Sequence, residues 1–491
     1  MMLSRKFILG SLFMTACFAA SNDLRLFEAV KNGDQNLASA LLKAGVDVNA
    51  SWGDGSTSLH WAAQRNELHL ADLLIQAGAN VDATTELGVT PLWIACENGS
   101  SAMVEKLLAA GAKANVIAST GVTALMVATN AGDEETVSAL LTHGADANMQ
   151  EKSRGQTALM WAVAERHPAV VRLLVEHGAD VTARTKIGSL LVNQGDLRYG
   201  QSVSAMVKTG GSTPLLFAAR QGDVASLDLL VKAGANVNEA APDGTSALVI
   251  AAHSANSEVA AYLLAKGADP NADGSGYTAL HAAVLRGDEA LAKILLARGA
   301  NPNAVLRRGT TVRLSGPDFA LPAPMVGATP YLLAAKFADT ALMRVLAAGG
   351  ADTHAALTDG STAVMAAANP DRPGLCLDLN DRCAGASDYG TGIGVSVMES
   401  RALGAVRTAL DLGGEVNASD QAGNTALHIA VSRGYNTVVE LLVDRGAKLN
   451  VKNKRGETPL QLTMAVVRGN ANGAPRLKST GDLLRKLGAK E

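Results

Sequence analysis

This chain of 491 residues has few aromatic residues and few cysteines, and its positive and negative charges nearly balance. Only 3% of the residues are aromatic, and four are cysteine. The 43 lysines and arginines against 46 aspartates and glutamates give a formal charge of −3, so no strong basic field is available to hold nucleic acid or an anionic membrane surface. Since 48% of the residues are hydrophobic and the 49 glycines are spread along the chain, a disordered polypeptide is excluded. We therefore expect a folded protein that does not bind nucleic acid.

Long hydrophobic runs are also missing. Arg5 and Lys6 precede an uncharged run over 7–18 that ends in small residues, a pattern typical of an export signal and shorter than the roughly 20 residues needed to span a bilayer. Residues 1–20 are therefore predicted to be a signal peptide, and the protein is expected to be exported from a bacterial cell to the periplasm or beyond. The residues before Cys17 loosely resemble the lipobox of bacterial lipoproteins, which predicts a lipid anchor on Cys17. The alternative is cleavage near Ala19 or Ala20.

The three remaining cysteines differ in context. Cys96 lies in a repeated motif at a position otherwise filled by alanine, whereas Cys376 and Cys383 lie seven residues apart in an irregular segment. An exported chain meets an oxidising compartment, so a disulfide between Cys376 and Cys383 is predicted. Two free thiols are the alternative. Haem attachment is excluded because the chain has no C-x-x-C-H motif.

One phrase, Gly-x-Thr/Ser-Pro/Ala/Ser-Leu/Val/Tyr, recurs along most of the chain. It begins at Gly55, Gly88, Gly121, Gly155, Gly211, Gly244, Gly276, Gly327, Gly360, Gly423 and Gly456. Most of the spacings are 32 to 34 residues, and a fixed period of this length indicates a repeat architecture. Three spacings are longer and predict insertions at about 184–210, 304–326 and 369–398.

The residues of the repeat predict two short helices in each unit. A threonine before Pro or Ala can cap the first helix, and Pro at the first helical position loses no needed donor. A pair of leucines follows and fills the space between units, and a glycine such as Gly78 or Gly446 then suits the left-handed position that ends the second helix. Asp-Gly pairs, such as Asp54-Gly55, favour a tight hairpin that leads to the next unit.

This phrase and the Gly-Ala-Asp/Asn endings resemble the ankyrin repeat. The copies nearest to the family pattern begin at Gly276 and Gly423. The resemblance covers about 23–491, with a first repeat that lacks the opening phrase, and implies an all-α solenoid of about twelve helix-turn-helix units joined by short β-hairpin loops. It also implies a concave face, formed by hairpin tips and inner helices, that binds a partner protein without catalysis.

The chain departs from the family in two respects. The motif histidine is present only at His60, His281 and His428, so cohesion between units should depend more on packing. The first two insertions fall where hairpin loops belong and are expected to be elongated fingers, while the third should separate two helices, the second of which is predicted to begin at Arg401.

Catalytic motifs are missing as well. The sequence has no H-E-x-x-H, G-x-S-x-G, Walker or C-x-x-C motif, and the repeats leave no room for a separate catalytic domain. The motif histidines recur many units apart, too distant to share a metal, and His143 and His177 are predicted to cap helix ends. We therefore expect no enzymatic activity, cofactor or metal. The alternative is an accessory subunit of an exported enzyme, or a hydrolase whose site is built by the insertions.

Two features are candidates for partner binding. The first two insertions are basic, which indicates either an acidic partner or a solvated surface; their candidate residues are Arg184, Lys186, Arg198, Arg307, Arg308 and Arg313. Trp52 lies near a hairpin tip, and exposed tryptophans beside a groove are enriched among binding hot spots. Its alternative role is packing on a neighbouring finger, and Trp61 and Trp161 are predicted to pack in the helices.

Overall fold

A computed structural model describes residues 24–193, 204–309, 325–370, 393–465 and 474–490. The chain divides into two compact units, Met1–Ser153 (unit 1) and Arg154–Glu491 (unit 2). Both consist mainly of consecutive pairs of short helices. Within each unit, first helices pack against neighbouring first helices and second helices against neighbouring second helices.

The helices of unit 1 are seven to nine residues long. They are α1 (Arg25–Lys31), α2 (Gln35–Lys43), α3 (Ser58–Gln64), α4 (Leu68–Gln76), α5 (Pro91–Glu97), α6 (Ser101–Ala109), α7 (Ala124–Ala131) and α8 (Glu134–Thr142).

Unit 2 continues the helix pairs and adds one two-stranded sheet. Its elements are α9 (Ala158–Ala164), α10 (Pro168–Glu176), β1 (Gly188–Asn193), β2 (Ser204–Thr209), α11 (Pro214–Gln221), α12 (Val224–Lys232), α13 (Ala247–His253), α14 (Ser257–Ala265), α15 (Ala279–Arg286), α16 (Glu289–Ala297), α17 (Pro330–Lys336), α18 (Thr340–Ala348), α19 (Ala363–Ala368), α20 (Ile393–Asp411), α21 (Ala426–Arg433), α22 (Asn436–Asp444), α23 (Pro459–Ala465) and α24 (Ala474–Lys486).

The repeated threonine caps the first helices, as the sequence predicts. The Thr90 hydroxyl accepts a hydrogen bond from the Trp93 amide at 3.2 Å, and the Thr213 hydroxyl accepts one from the Leu216 amide at 3.4 Å. Each bond satisfies one of the amides that a helix N-terminus leaves without a partner. At the other end of the repeat, Gly78 has a φ of +90°, which confirms the left-handed position expected after the second helix.

The core of each repeat is formed by small alanines and by the leucine pairs. Leu74 in unit 1 and Leu230 in unit 2 have no exposed surface, whereas the preceding Leu73 and Leu229 are half-buried. In other pairs, such as Leu107–Leu108, both leucines are buried. The leucine pairs therefore fill the space between repeats, with the first leucine only partly buried in some of them.

The segments between a second helix and the next first helix are called fingers. They close as short hairpins, with isolated bridges such as Ser51–Thr57 and Ile117–Thr123. Backbone hydrogen bonds join neighbouring fingers within each unit. In unit 1 the Glu86 amide donates to Asp54 O at 2.9 Å, and in unit 2 the Lys454 amide donates to Ala422 O at 2.8 Å. These bonds hold the finger backbones in a fixed register.

The first two insertions both extend fingers. In the first, β1 pairs with β2 in an antiparallel register that runs from Gly188–Thr209 to Asn193–Ser204. In the second, the backbone of Leu306 bonds to Gly327 and Ala328 at 2.7 and 2.8 Å. Residues 310–324 lie outside the described part of the chain.

The third insertion ends earlier than the sequence predicts. Helix α20 begins at Ile393 rather than Arg401, so the part of the predicted insertion 369–398 that follows residue 392 is helical. Its buried apolar residues fall at Ala402, Ala405, Val406 and Ala409, which is the helical spacing. No side chain over 396–401 is buried, so these residues leave no periodic pattern for sequence analysis to find.

Candidate partner-binding surface

Exposed apolar side chains are concentrated on the fingers. Ten large hydrophobic residues are exposed in the described ranges, and seven of them belong to fingers. These seven are Trp52, Leu87, Ile117, Ile187, Met206, Val305 and Val326. Water-exposed apolar surface of this kind lowers the free energy of association when a partner covers it.

Trp52 is both exposed and held in place. It is 46% exposed, while its ring stacks on Phe27 with centroids 5.3 Å apart and planes at 15°. Lys31 Nζ lies 5.9 Å from the Trp52 ring and 5.3 Å from the Trp61 ring. The packing alternative from the sequence therefore holds for one face of Trp52, and the rest of the side chain remains accessible to a partner.

Arg184, at the start of the first insertion, bonds within its own finger and to the next finger. Its guanidinium donates to Gly211 O at 2.8 Å, reaches Ala240 O at 3.4 Å and forms an ion pair with Glu239. These contacts bridge two successive fingers of unit 2.

Arg307 and Arg308, at the start of the second insertion, are engaged in the same way. Arg307 pairs with Asp273 at 3.1 Å. Arg308 donates to Ser275 O at 3.0 Å and to Asp243 O at 3.2 Å, and so crosses two preceding fingers. Three of the basic residues predicted to bind an acidic partner thus have intramolecular bonds, and their role in partner binding stays a prediction.

The other predicted site residues have fewer structural data. Lys186 is exposed, and its amide donates to Arg154 O at 2.7 Å. Five predicted residues lie outside the described part of the chain: Cys17, Arg198, Arg313, Cys376 and Cys383.

The motif histidines have a structural role. His281 Nδ1 accepts from the Thr278 amide at 3.2 Å, and Nε2 lies 3.4 Å from Ala328 O in the next repeat. His60 makes the matching contacts to Thr57 and, at 3.1 Å, to Val89 O. Burial lowers the pKa of His281 to about 4 and also lowers the pKa of His60. Both imidazoles are therefore neutral at pH 7, with Nδ1 as acceptor and Nε2 as donor.

The predicted helix caps and the buried cysteine are also observed. His143 Nδ1 lies 2.9 Å from Ala139 O, and His177 Nδ1 lies 2.8 Å from Leu173 O, at the ends of α8 and α10. Cys96 is fully buried, and burial raises the pKa of its thiol. Within the described ranges, no three His, Cys, Asp or Glu side chains come together as a metal-ligand set.

Sequence analysis missed a series of asparagines that link neighbouring repeats. Asn271 Nδ2 donates to Gly299 O at 2.9 Å, and its Oδ1 accepts from the Asn301 amide at 2.7 Å. Asn115 in unit 1 makes the same two contacts to Gly144 and Asp146, at 2.8 and 2.7 Å. The signal in the sequence was an Asn four residues after the glycine that ends the second helix, recurring with the period of the repeat.

Two family models match the chain. The model described as "Ankyrin repeats (3 copies)" matches residues 26–118, 102–185, 187–274 and 215–305, and the one described as "Ankyrin repeats (many copies)" matches 410–462. Together they cover more than half of the chain. The protein belongs to the ankyrin-repeat family. Ankyrin repeats are generally protein–protein interaction modules, and the helix pairs, fingers and threonine caps described above agree with this assignment.

Several curated ankyrin-repeat proteins are similar to parts of the chain. The E3 ubiquitin-protein ligase KEG of Arabidopsis thaliana is 26% identical over 310 residues, which is 56% of this chain and 17% of that protein. The human Ankyrin repeat and SOCS box protein 16 is 30% identical over 238 residues, 48% of this chain and 50% of that protein. The chain therefore spans half or less of the length of these relatives.

Among solved structures, the human ASB11 ankyrin repeat domain matches with a TM-score of 0.38 and 26% identity, over 56% of this chain and 98% of that domain. None of the helices described here combines the length and the apolar character required to cross a bilayer.

Proposed function

We propose that this ankyrin-repeat protein is an exported scaffold that binds a partner protein through its fingers and the adjacent first helices, without catalysis of its own. The observation that carries the proposal is the concentration of exposed apolar side chains on the fingers. On most folded proteins the exposed apolar residues are scattered over the surface. Here seven of the ten exposed large hydrophobic residues in the described ranges lie on fingers.

Rigidity of the fingers supports the same proposal. Hydrogen bonds such as Ser119 N to Leu87 O at 2.8 Å fix the finger backbone, and stacking on Phe27 fixes the Trp52 ring. A partner that binds preordered side chains loses less conformational entropy on association. Trp52 is the finger residue we expect to contribute most, since a large aromatic side chain offers the greatest contact area.

Affinity capture from an envelope extract of the source organism tests this function. The tagged full chain would be compared with a Trp52→Ala/Leu87→Ala variant of two fingers and with a Leu37→Ala/Val397→Ala control. Leu37 and Val397 are similarly exposed, at 47% and 55%, but lie on the second helices α2 and α20. Thermal unfolding would establish that the variants are folded. We expect a captured protein that is lost only with the finger variant; equal capture by all three chains, or capture by none, would contradict the proposal.

Export is proposed on the N-terminal pattern. Intact mass of the protein purified from the envelope or medium should correspond to a chain cleaved near residue 20, or to an acylated chain that begins at Cys17. A full-length chain retained in the cytoplasm would contradict export. In the same sample, alkylation without reduction should label one thiol of the mature chain if Cys376 and Cys383 are bridged, and three if they are not.

A further inference from the structure

Basic side chains recur at the ends of the first helices of unit 2. They lie within the last two residues of α11, α15, α17 and α21: Arg220, Arg286, Lys336 and Arg433. In unit 1, α1 also ends in a basic residue, whereas α3, α5 and α7 end in Gln64, Glu97 and Ala131. Basic helix ends are therefore more frequent in unit 2.

Two of these side chains have a structural role. Arg286 Nε donates to His253 O at 2.5 Å, and Lys336 Nζ donates to Asn369 O at 2.6 Å. Both acceptors are carbonyls at the C-terminal ends of first helices, α13 and α19, where free carbonyls and the helix dipole favour a cation. These two side chains are thus accounted for by helix capping.

Arg220 has no such role. The carbonyls at the end of its own helix, Ala219 O and Arg220 O, accept from Asn256 Nδ2 at 3.0 and 2.8 Å. Among the described residues, no acceptor or carboxylate lies within bonding distance of the Arg220 guanidinium. The side chain is exposed to solvent, yet desolvation by the surrounding protein lowers its pKa, against a smaller opposite effect of Asp243. An accessible cation that is partly desolvated and unpaired binds an incoming anion more strongly than one in bulk water.

Further polar groups lie in the two repeats that follow Arg220. The Tyr277 ring lies 6.3 Å from the His253 ring, and the Asp243 carboxylate acts electrostatically on both Tyr277 and Arg220. The Tyr277 hydroxyl makes no hydrogen bond to any described residue, and burial raises its pKa to about 12, so it is a donor at pH 7. His253 Nδ1 is buried and also lacks a partner within these ranges.

We propose that Arg220 binds a carboxylate of an acidic segment of the partner protein, with the Tyr277 hydroxyl as a second donor. This inference rests on the proposed function, since it names the chemistry of the partner. Residues 154–491 carry 34 basic and 30 acidic residues, a formal charge of +4, which complements an acidic segment.

Fluorescence anisotropy with a labelled hexaglutamate peptide tests the proposal at low ionic strength. The full chain would be compared with Arg220→Gln and with Arg172→Gln as the matched control. Arg172 is exposed on the second helix α10, so the control loses the same charge elsewhere in unit 2. Because a charge-assisted hydrogen bond is removed, Arg220→Gln should weaken binding by about tenfold, and the control should change it by less than about twofold.

A second variant tests the site by removing a negative charge instead of a positive one. Asp243→Asn removes the carboxylate that competes for Arg220, and Asn can keep the bond from the Thr245 amide, which Asp243 Oδ1 accepts at 2.9 Å. We expect tighter binding of hexaglutamate by this variant. Equal losses in the two arginine variants would overturn the site, and no binding of hexaglutamate by the unmodified chain would overturn the acidic partner. The proposed function would survive either result, because its own test uses a whole extract and variants of the fingers.

Discussion

Units 1 and 2 share their repeat packing and differ in charge. Residues 24–153 carry 7 basic and 15 acidic residues, a formal charge of −8, whereas residues 154–491 have +4. Their buried positions are alike: the leucine seven residues after the second-helix cap is fully buried at both Leu74 and Leu230. The difference lies at exposed helix ends and fingers. The comparison teaches that the repeat constrains the buried residues and leaves the exposed ones free to fit a partner.

The largest expected effect tests the shared packing. Leu74→Ala in unit 1 and Leu230→Ala in unit 2 should each lower the free energy of unfolding by about 2–5 kcal/mol, because each leaves a cavity between repeats. Hydrogen exchange should show the loss of protection in the neighbouring helices, since repeats are stabilised mainly by their neighbours. Leu229→Ala, at the half-buried position, is the control and should cost less. A cost at Leu229 equal to that at Leu230 would contradict the packing described here.

The buried residues of the two units differ at the position of Tyr331. It lies two residues after a helix cap, where unit 1 has Leu59 and Leu92, and its fully buried hydroxyl has no partner among the described residues. Tyr331→Phe should therefore raise the free energy of unfolding by about 1–3 kcal/mol, measured by urea denaturation. A less stable Phe variant would show that the hydroxyl is satisfied.

The motif histidines should make both units sensitive to acid. The pKa of His281 is about 4 in the folded chain and 6.5 without burial, so the unfolded state binds more protons between these values and stability falls as the pH drops from about 6.5 to 4. His281→Gln should cost about 1 kcal/mol at pH 7, through the lost bond to Ala328 O, and should remove this part of the pH dependence. Gln461 already makes the corresponding cap, accepting from the Thr458 amide at 2.9 Å.

The same substitution in unit 1, His60→Gln, tests whether the acid sensitivity is shared by both units. Burial lowers the pKa of both histidines, so the two variants should change the acid transition in the same direction. Unfolding midpoints from pH 4 to 8 would measure it. A His281→Gln variant with the unaltered acid transition would contradict the neutral, buried state assigned to this histidine.

The smallest expected effect concerns Glu97 in unit 1. Burial raises the pKa of this carboxyl, so the unmodified chain loses stability as the pH rises through its titration range. Glu97→Gln should therefore have a slightly higher melting temperature at pH 7, and this advantage should vanish at a pH well below the carboxyl pKa. An advantage that persists at low pH would point to packing rather than charge.

The sequence predicted the parts of the fold that depend on local chemistry. Threonine caps such as Thr90 and the left-handed Gly78 require particular residues at particular backbone positions, and those residues recur with the period of the repeat. The start of α20 was missed because no side chain over 396–401 is buried, as the half-exposed Val397 illustrates.

The candidate site was less predictable. Arg184 and Arg308 were expected to reach a partner because the sequence shows their charge, but their bonds to backbone carbonyls of neighbouring fingers depend on the distance between repeats. Arg220 was missed for the opposite reason. Its guanidinium has no bonding partner among the described residues, and the carbonyls at the end of α11 accept from Asn256, a contact between residues 36 positions apart that the sequence does not show.

Photo-crosslinking tests the central claim, that fingers and first-helix ends bind a partner protein, most directly. A benzophenone amino acid would replace Leu87 on a finger or Gln221, next to Arg220 at a first-helix end, and Leu37 or Arg172 on second helices as matched exposed controls. The account predicts a crosslinked partner protein from positions 87 and 221 and none from the controls. Crosslinks from the two control positions without any from positions 87 and 221 would contradict it.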